Sequence, residues 1–593
     1  MWGITMKNDK ASEFSLLKKL PPWARRKYFL VKLEFGARQF TIKDLENFFE
    51  ERFKQTGNEE FLIKNVGELV AVLSRAGLIK ERSDPYDSRR KIYQLVFPEF
   101  KAENLNDVLF FLFDHLRVSL NVHDSEKLLL TMLFYKTMSD RWHAFINEHK
   151  NSGIHEHEIY LSANEQVLRL YDPENKELLT WKSVVSSKQN INETLAHAFE
   201  RIAELNLDRG LGGLTHIVNI IYQLDPQKLT QIIEILDLYD LSFYHPKEIG
   251  RFYRDFLDTT ASFGGKYQGE FLTSRSLRTL LSRLLHIKNN SVVLDPAIGT
   301  GSLLIEIALH SSSPGRLLLL GVDTKNWAVT LAAMNALVSG IPNYTFKIGD
   351  SLLGTPVEDL LEKFGLTKAD YVVVDPPWNL VVSGEVAAVG KNLPYLLDRD
   401  NLPSWRSADW LWVQLAAFYS KIKAAVVLHP GALSRSGAEK EIRKTLLSMD
   451  IIEAVIQLPQ KLLQWTSISP IILVINKEKP KVLHRKVLMI NVTEGIEEIS
   501  RRLIQLKQET IDQIVSTYTS YKEIEGFSRI VSLEELAEND YNLSPQLYVF
   551  KRESSKIDTR KLLSALKELL EEDEKLSKEA IVLAEKILEA ENR

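Results

Sequence analysis

The chain has 593 residues with 75 Lys and Arg against 79 Asp and Glu, a net charge of −4. At ~100–200 residues per domain, that length asks for about three to five domains. Its 45% hydrophobic and 26% charged residues are ordinary for a folded chain and exclude wholesale disorder, and the near-balanced charge leaves any nucleic-acid contact to a local patch or a partner.

The absence of cysteine excludes disulfide frameworks, thiolate nucleophiles and Cys-ligated zinc or iron–sulfur centres, so chemistry must be carried by oxygen, nitrogen and a cofactor. The first residues mix Lys7, Asp9, Lys10 and Glu13, and no apolar run approaches the ~18 residues of a membrane span, a pattern expected of a cytoplasmic protein. Helical periodicity runs from Trp23 to Phe35, Leu45 to Phe53 and Val66 to Leu73, with Gly77 as a helix stop. Two β-rich pieces, Leu78 to Arg82 and Lys91 to Val96, then flank a turn-rich, basic-ended loop. Residues 1–100 hold 19 Lys and Arg against 14 Asp and Glu, a charge of about +5. This predicts a winged-helix-like domain over 1–100 with Arg75, Arg82, Arg89, Arg90 and Lys91 as candidate DNA contacts; a helical protein-docking module is the alternative.

Residues 101–262 read as a helical domain, with apolar stretches at Leu128 to Met138, Ile217 to Leu224 and Leu229 to Leu236. His155-Glu156-His157-Glu158 within it invites a metal reading, but no third ligand stands at a recognised spacing, and a solvated loop is the favoured reading. Over 263–495 short apolar strands alternate with helical stretches, the pattern of a doubly wound sheet. The expected strands are Val292 to Leu294, Leu317 to Val322, Tyr344 to Ile348, Tyr371 to Val374, Ala424 to Leu428, Ile452 to Leu458 and Ile468 to Ile475. The last two follow each other without a helix, as in an antiparallel hairpin at a sheet edge. Residues 496–593 are polar and helical in pattern, ending in a heptad-like seam of Leu562, Leu566, Leu569, Leu576, Ala580, Leu583 and Ile587 that suits helix–helix docking or packing on its own chain.

The chemistry concentrates at strand ends. Val292 to Ser302 reads as strand, Gly-containing turn and helix start, so Asp295, Pro296, Gly299, Thr300 and Gly301 form a candidate cofactor turn. Its leading acid suits a ligand with a cationic amino-acid portion better than a pyrophosphate. Asp323 closes the second strand, where a carboxylate can accept both ribose hydroxyls, and Asp350 with Ser351 follows the third, within reach of an adenine amino group. Taken singly, Asp323 reads equally as a helix cap and Asp350 as a turn residue. Together they describe a pocket for S-adenosylmethionine. The fourth strand ends in Asp375-Pro376-Pro377-Trp378. A carboxylate and a carbonyl there can accept both hydrogens of a planar amine, whose lone pair is otherwise delocalised into the ring, while an aromatic face stacks on the base.

These motifs resemble the adenine-N6 DNA methyltransferases, and more closely the modification subunit of type I restriction-modification systems. Thr131 to Trp142 looks like that family's helical N-terminal domain, and Gly269-Glu270-Phe271-Leu272-Thr273 looks like the segment that closes over the methionine end of the cofactor, adding Glu270, Phe271 and Thr273 to the candidate site. Ser407 to Trp412, His429 to Leu433, Gly437-Ala438-Glu439 and Val531 to Val549 match later family patterns in order. Asp375 and Trp378 stand where the family usually has Asn and Phe, a pairing that other adenine-N6 methyltransferases use; Ser274 replaces a common Pro, and the segment before residue 100 looks like an addition.

The resemblance implies an α/β fold: a Rossmann-like S-adenosylmethionine-dependent methyltransferase sheet with an antiparallel edge hairpin, a helical N-terminal domain, a winged-helix-like extension and C-terminal helices. It further implies double-stranded DNA as substrate and a complex of two modification subunits with one specificity subunit, to which a restriction subunit can be added. The alternatives are a winged-helix DNA-binding regulator whose methyltransferase fold senses the cofactor, and a methyltransferase acting on cytosine N4 or RNA.

Overall fold

A computed structural model describes residues 16, 20–56, 62–84, 87, 90–97, 105–150, 153–186, 190–237, 239, 241–260, 273–402, 406–463, 466–500, 503–550 and 559–591. Its centre is a nine-stranded sheet. In chain order the strands are β1 (Val292–Asp295), β2 (Leu318–Asp323), β3 (Tyr344–Ile348), β4 (Ala369–Val374), β5 (Ser420–Leu428), β6 (Ile452–Gln457), β7 (Ile471–Asn476), β8 (Lys486–Asn491) and β9 (Ser528–Ser532). Across the sheet they lie β3-β2-β1-β4-β5-β7-β6-β8-β9. β3 through β5 are parallel, β7 runs antiparallel to both β5 and β6, β8 is parallel to β6, and β9 is antiparallel to β8.

The expected antiparallel hairpin is present as β6 and β7, but it does not form the sheet edge. β7 inserts between β5 and β6, and β8 and β9 extend the sheet beyond them. β9 lies in the stretch read as helical. Its Ser528-Arg529-Ile530-Val531-Ser532 is too short and polar to advertise a strand, and backbone pairing with β8 makes it one.

Alternate strand residues feed two cores. Val293, Leu319, Val373 and Ala425 face one layer of helices, including α1 (Arg275–Leu284), α2 (Ser302–His310) and α3 (Asn326–Val338). Leu294, Leu320, Val372 and Val426 face the other, including α4 (Thr355–Glu362), α5 (Asp409–Tyr419) and α6 (Ala438–Ser448). This period-two division is what makes the strands read as continuous apolar runs, since both faces are covered. The chain winds outward from β1 to β3 and then returns to β4 on the other side of β1. A crevice therefore opens at the carboxyl ends of β1 and β4, the usual ligand position of an open α/β sheet.

The first core continues into a helical region over 105–260. Its central helix, Val122–His149, is buried along every residue from Leu128 to Ser139. It grips the catalytic sheet through Arg141, whose guanidinium donates to the terminal carbonyls of α3 at Leu337 (3.1 Å) and Val338 (2.9 Å). Gly213 N–H also donates to Thr330 Oγ1 in α3 at 2.9 Å. His155 precedes the helix Glu156–Gln166, and His157 Nδ1 lies 3.1 Å from the Tyr171 hydroxyl.

Before residue 100, three helices (Pro22–Phe35, Ile42–Thr56, Val66–Arg75) precede a hairpin of Ile79–Ser83 and Lys91–Leu95, to which Phe40 adds a bridge with Tyr93. The last described element is the 33-residue helix Thr559–Glu591, on which Leu566, Leu569 and Leu576 are exposed. Among the described residues no helix is long and apolar enough to cross a membrane.

Candidate active site

The turn after β1 is built from its backbone. Gly299 (φ 53°) and Gly301 (φ 71°) occupy the left-handed region that a side chain disfavours. A Cβ at Gly301 would stand 2.8 Å from Ala332 Cβ, so the turn rests directly on α3. Asn335, also in α3, donates to the Thr300 carbonyl at 3.1 Å and holds the turn from beneath. On its other side, Ser351 Oγ donates to the Pro296 carbonyl at 2.6 Å.

Three carboxylates then converge at neighbouring strand ends. Asp295 is 2% exposed and accepts from Ala297 N–H at 3.0 Å. Asp323 accepts from Gly299 N–H at 3.1 Å and Lys325 N–H at 2.9 Å, so the same side chain braces the glycine turn and the approach to α3. Asp350 accepts from Leu352 N–H at 2.9 Å. Burial pushes the Asp295 carboxyl up to about 8, with Asp375 and Asp323 adding repulsion. Burial also raises Asp323, against backbone hydrogen bonds that favour its anion.

Asp323 and Asp350 open into one cavity of about 380 Å³, within the usual range for small-molecule sites, whereas Asp295, Gly301, Pro376 and Trp378 are not on its wall. Its walls include Thr273, Pro296, Gly299, Thr300, Asp323, Asp350, Ser351, Asp375 and Pro377. Sequence reasoning missed further wall residues, among them Leu380, Val381, Ser383 and Trp412, which lie outside the strand-end motifs. Trp412 Nε1 is buried without a hydrogen-bond partner. The only advance signal for it was its place in the Ser407 to Trp412 stretch. A roomy pocket beside a buried carboxyl that resists ionising on its own fits a ligand bringing a cationic group and several polar atoms.

Asp375 begins the loop after β4 and is partly buried; burial pushes its carboxyl up to about 6, and a hydrogen bond from Thr273 pulls against that shift. Pro376 is buried and Pro377 exposed. Trp378 stands edge to face with His429 at the end of β5, with ring centroids 5.8 Å apart at 82°. His429 Nδ1 accepts from Gly431 N–H at 2.9 Å, and burial lowers its pKa.

Glu270, Phe271 and Arg89 lie outside the described residues. The other candidate DNA contacts are exposed but not gathered on one face. Arg82 pairs with Ile92 in the hairpin register, which puts it on the opposite face from Lys91, and Lys91 is ion-paired with Glu81 at 2.6 Å. Arg75 donates back to its own helix at the Ala71 carbonyl. Arg90 closes the turn from Asp87 through its backbone N–H.

Strand order and the shared cavity define an S-adenosylmethionine-dependent methyltransferase. Comparison with known proteins carries this further. Residues 245–557 match the family described as N-6 DNA Methylase, and residues 105–236 match the HsdM N-terminal domain. The type I restriction enzyme MjaVII methylase subunit of Methanocaldococcus jannaschii is 34% identical over 590 residues, covering 96% of this chain and 98% of that protein. The MjaVIII methylase subunit of the same organism is 32% identical, covering 90% and 92%. The crystal structure of a type I methyltransferase subunit from Streptococcus thermophilus superposes with a TM-score of 0.63 at 23% identity, covering 76% of this chain and all of that one. The chain belongs to the N-6 DNA methylase family, among the methylase subunits of type I restriction enzymes. Because the MjaVII alignment spans 96% of the chain, it takes in most of the segment before residue 100, which is therefore shared with that relative.

Proposed function

We propose that this methylase subunit methylates N6 of an adenine turned out of double-stranded DNA, with Asp375, Pro376, Pro377 and Trp378 forming the catalytic loop. One observation carries the assignment of residues. Asp375 opens into the same cavity as Pro296, Gly299 and Thr300 of the cofactor turn and the acids Asp323 and Asp350 after β2 and β3, so an acceptor for an amine and a cradle for a methyl donor share one space. Asp295 would hold the ammonium of the amino-acid portion through the cofactor turn, Asp323 the ribose hydroxyls, and Asp350 with Ser351 the adenine edge, while Thr273 lines the same cavity and hydrogen-bonds Asp375. Trp412 Nε1–H offers one more donor.

The bound cofactor supplies an electrophilic methyl group on a sulfonium. The chain prepares the nucleophile. Asp375 and the Pro376 carbonyl accept the two amino hydrogens, which localises the nitrogen lone pair along the line of attack. Trp378 stacks on the extruded base. As the N–CH3 bond forms and the S–CH3 bond breaks, the nitrogen sheds one proton, and Asp375 is its first acceptor on the way to solvent.

Target choice would come from a specificity subunit, docked against the exposed apolar side chains of the Thr559–Glu591 helix as two methylase subunits to one specificity subunit, with a restriction subunit as a further partner. The module before residue 100 would add local DNA contacts through Arg75, Arg82, Arg89, Arg90 and Lys91.

The test is transfer of label from methyl-labelled cofactor to unmodified host DNA by the chain together with the specificity protein encoded beside it. N6-methyladenine should be the labelled nucleoside after hydrolysis, and Asp375→Ala should lose the label while keeping cofactor binding. Label on cytosine, or none with the wild-type pair, would overturn the proposal.

A further inference from the structure

The loop that carries Trp378 is fastened at its far end by an ion pair between a buried carboxylate and a half-buried guanidinium, which the reaction itself does not use. Asn379, immediately after Trp378, has φ 52°, a left-handed conformation that costs energy for any residue other than glycine and that Asn tolerates better than most. Two groups hold it there. Its backbone N–H donates to Asp409 Oδ1 at 3.2 Å, and its side-chain Oδ1 accepts from Arg435 Nη2. Asp409, wholly buried at the start of α5, turns its second oxygen to Arg435 Nη1 at 2.9 Å. The same guanidinium nitrogen reaches Ser407 Oγ at 3.0 Å and Glu439 at 3.3 Å.

Arg435 is itself pinned. The buried Arg443 donates to the Arg435 carbonyl at 2.7 Å and to the Ala432 carbonyl at 3.3 Å, and the Trp410 indole donates to the same Ala432 carbonyl at 2.9 Å. A further backbone bond, Ala408 N–H to the Leu380 carbonyl at 2.9 Å, ties the loop to the same helix start. Strained backbone persists only where its surroundings over-determine it, and here both the main chain and the side chain of one residue are claimed by one carboxylate–guanidinium pair.

We infer that Asp409 and Arg435 are positioning residues for methyl transfer, which act through Asn379 to set the height and tilt of Trp378 and thereby register the target base over Asp375. This rests on the function proposed above. None of Asn379, Asp409 and Arg435 lines the cavity that holds the glycine turn, so the pair should govern the rate of transfer and leave cofactor binding alone. Asp409→Asn keeps an acceptor for Asn379 but turns a donor toward Arg435; Arg435→Lys keeps the charge but loses the planar fork that reaches four groups.

The experiment measures kcat and the dissociation constant of S-adenosylhomocysteine for the wild-type complex with its specificity subunit and for Asp409→Asn, Arg435→Lys, Arg435→Ala and Asn379→Ala. Asn379 is exposed, so the last variant keeps the test open should a buried substitution fail to fold. The inference expects kcat to fall by about 10–100-fold in Asp409→Asn, Arg435→Ala and Asn379→Ala, on the scale that misplacement of a reacting group produces. Arg435→Lys should retain more activity than Arg435→Ala, and every variant should bind the cofactor product within about twofold of wild type. Unchanged kcat in Asn379→Ala, or cofactor affinity falling in step with kcat, would overturn it. A wild-type complex without adenine methylation would instead strike at the underlying function.

Discussion

Asp375 offers the sharpest test of the chemistry, because its buried carboxyl titrates where activity can be followed. Its pKa is pushed up to about 6 by burial, against the ~3.9 of a free Asp. The lone-pair argument requires the anion, so activity should be full well above pH 6 and be lost as pH falls through 6, with ~10% of the plateau remaining at pH 5. Asp375→Ala removes one of two preorganised acceptors, and kcat should drop ~10²–10³-fold, the scale seen when one such contact is deleted. Asp375→Asn is more revealing. The amide keeps a carbonyl acceptor but, like the protonated acid, carries no charge, so it should lose about tenfold or more at neutral pH while the fall toward pH 5 disappears. The amide also relieves the repulsion that Asp375 exerts on Asp295, so cofactor affinity should hold or rise. Initial rates of label transfer between pH 5 and 8, under saturating DNA and cofactor, measure this. An Asp375→Asn enzyme that kept the wild-type acid limb near 6 would refute the assignment, since some other group would then be titrating.

Three further outcomes follow from the geometry. Asp295 is held protonated up to about pH 8 in the free cleft, and a ligand cation beside it favours the anion; binding of S-adenosylmethionine below pH 8 should therefore release up to one proton, and affinity should rise as pH increases from 6 to 8 by as much as ~10-fold per unit. Calorimetry in buffers of different ionisation enthalpy reads this, and zero proton release would refute it. Gly301→Ala places a methyl 2.8 Å from Ala332 Cβ at φ 71°; left-handed strain and overpacking should together cost about 2–4 kcal/mol in thermal or denaturant unfolding and weaken cofactor binding. Arg141→Met strips two hydrogen bonds from the end of α3 and should cost about 2–3 kcal/mol, read as a lower denaturant midpoint with an unchanged slope.

Much of this site was written locally. Val292 to Ser302 is a strand, turn and helix start in eleven consecutive residues, and each of Asp323, Asp350 and Asp375 stands at the end of its own apolar run, so alternation and punctuation alone placed them. Even the competing local readings of Asp323 and Asp350 describe real bonds, since Asp323 accepts from Lys325 N–H and Asp350 from Leu352 N–H, while both side chains also border the cavity. The Asp409–Arg435 contact was not legible in this way. Its partners are 26 residues apart and Asn379 lies 30 residues before Asp409, so nothing in the spacing marks them as neighbours. The same holds for Trp412, whose exposure to the cavity depends on how α5 packs beneath β4 and β5.

The sequence by itself therefore determined the alternating strands and helices, the four acids at strand ends, the glycine turn and the family, because each rests on interactions between residues a few positions apart. Only the tertiary structure decided that β7 enters between β5 and β6, that β8 and β9 extend the sheet, that Arg82 and Lys91 face apart, and that the Asp409–Arg435 pair clamps the residue after Trp378. Strand order and ion pairing across tens of residues are settled by which apolar faces and backbone groups can be satisfied together, a condition on the whole chain that no local pattern carries.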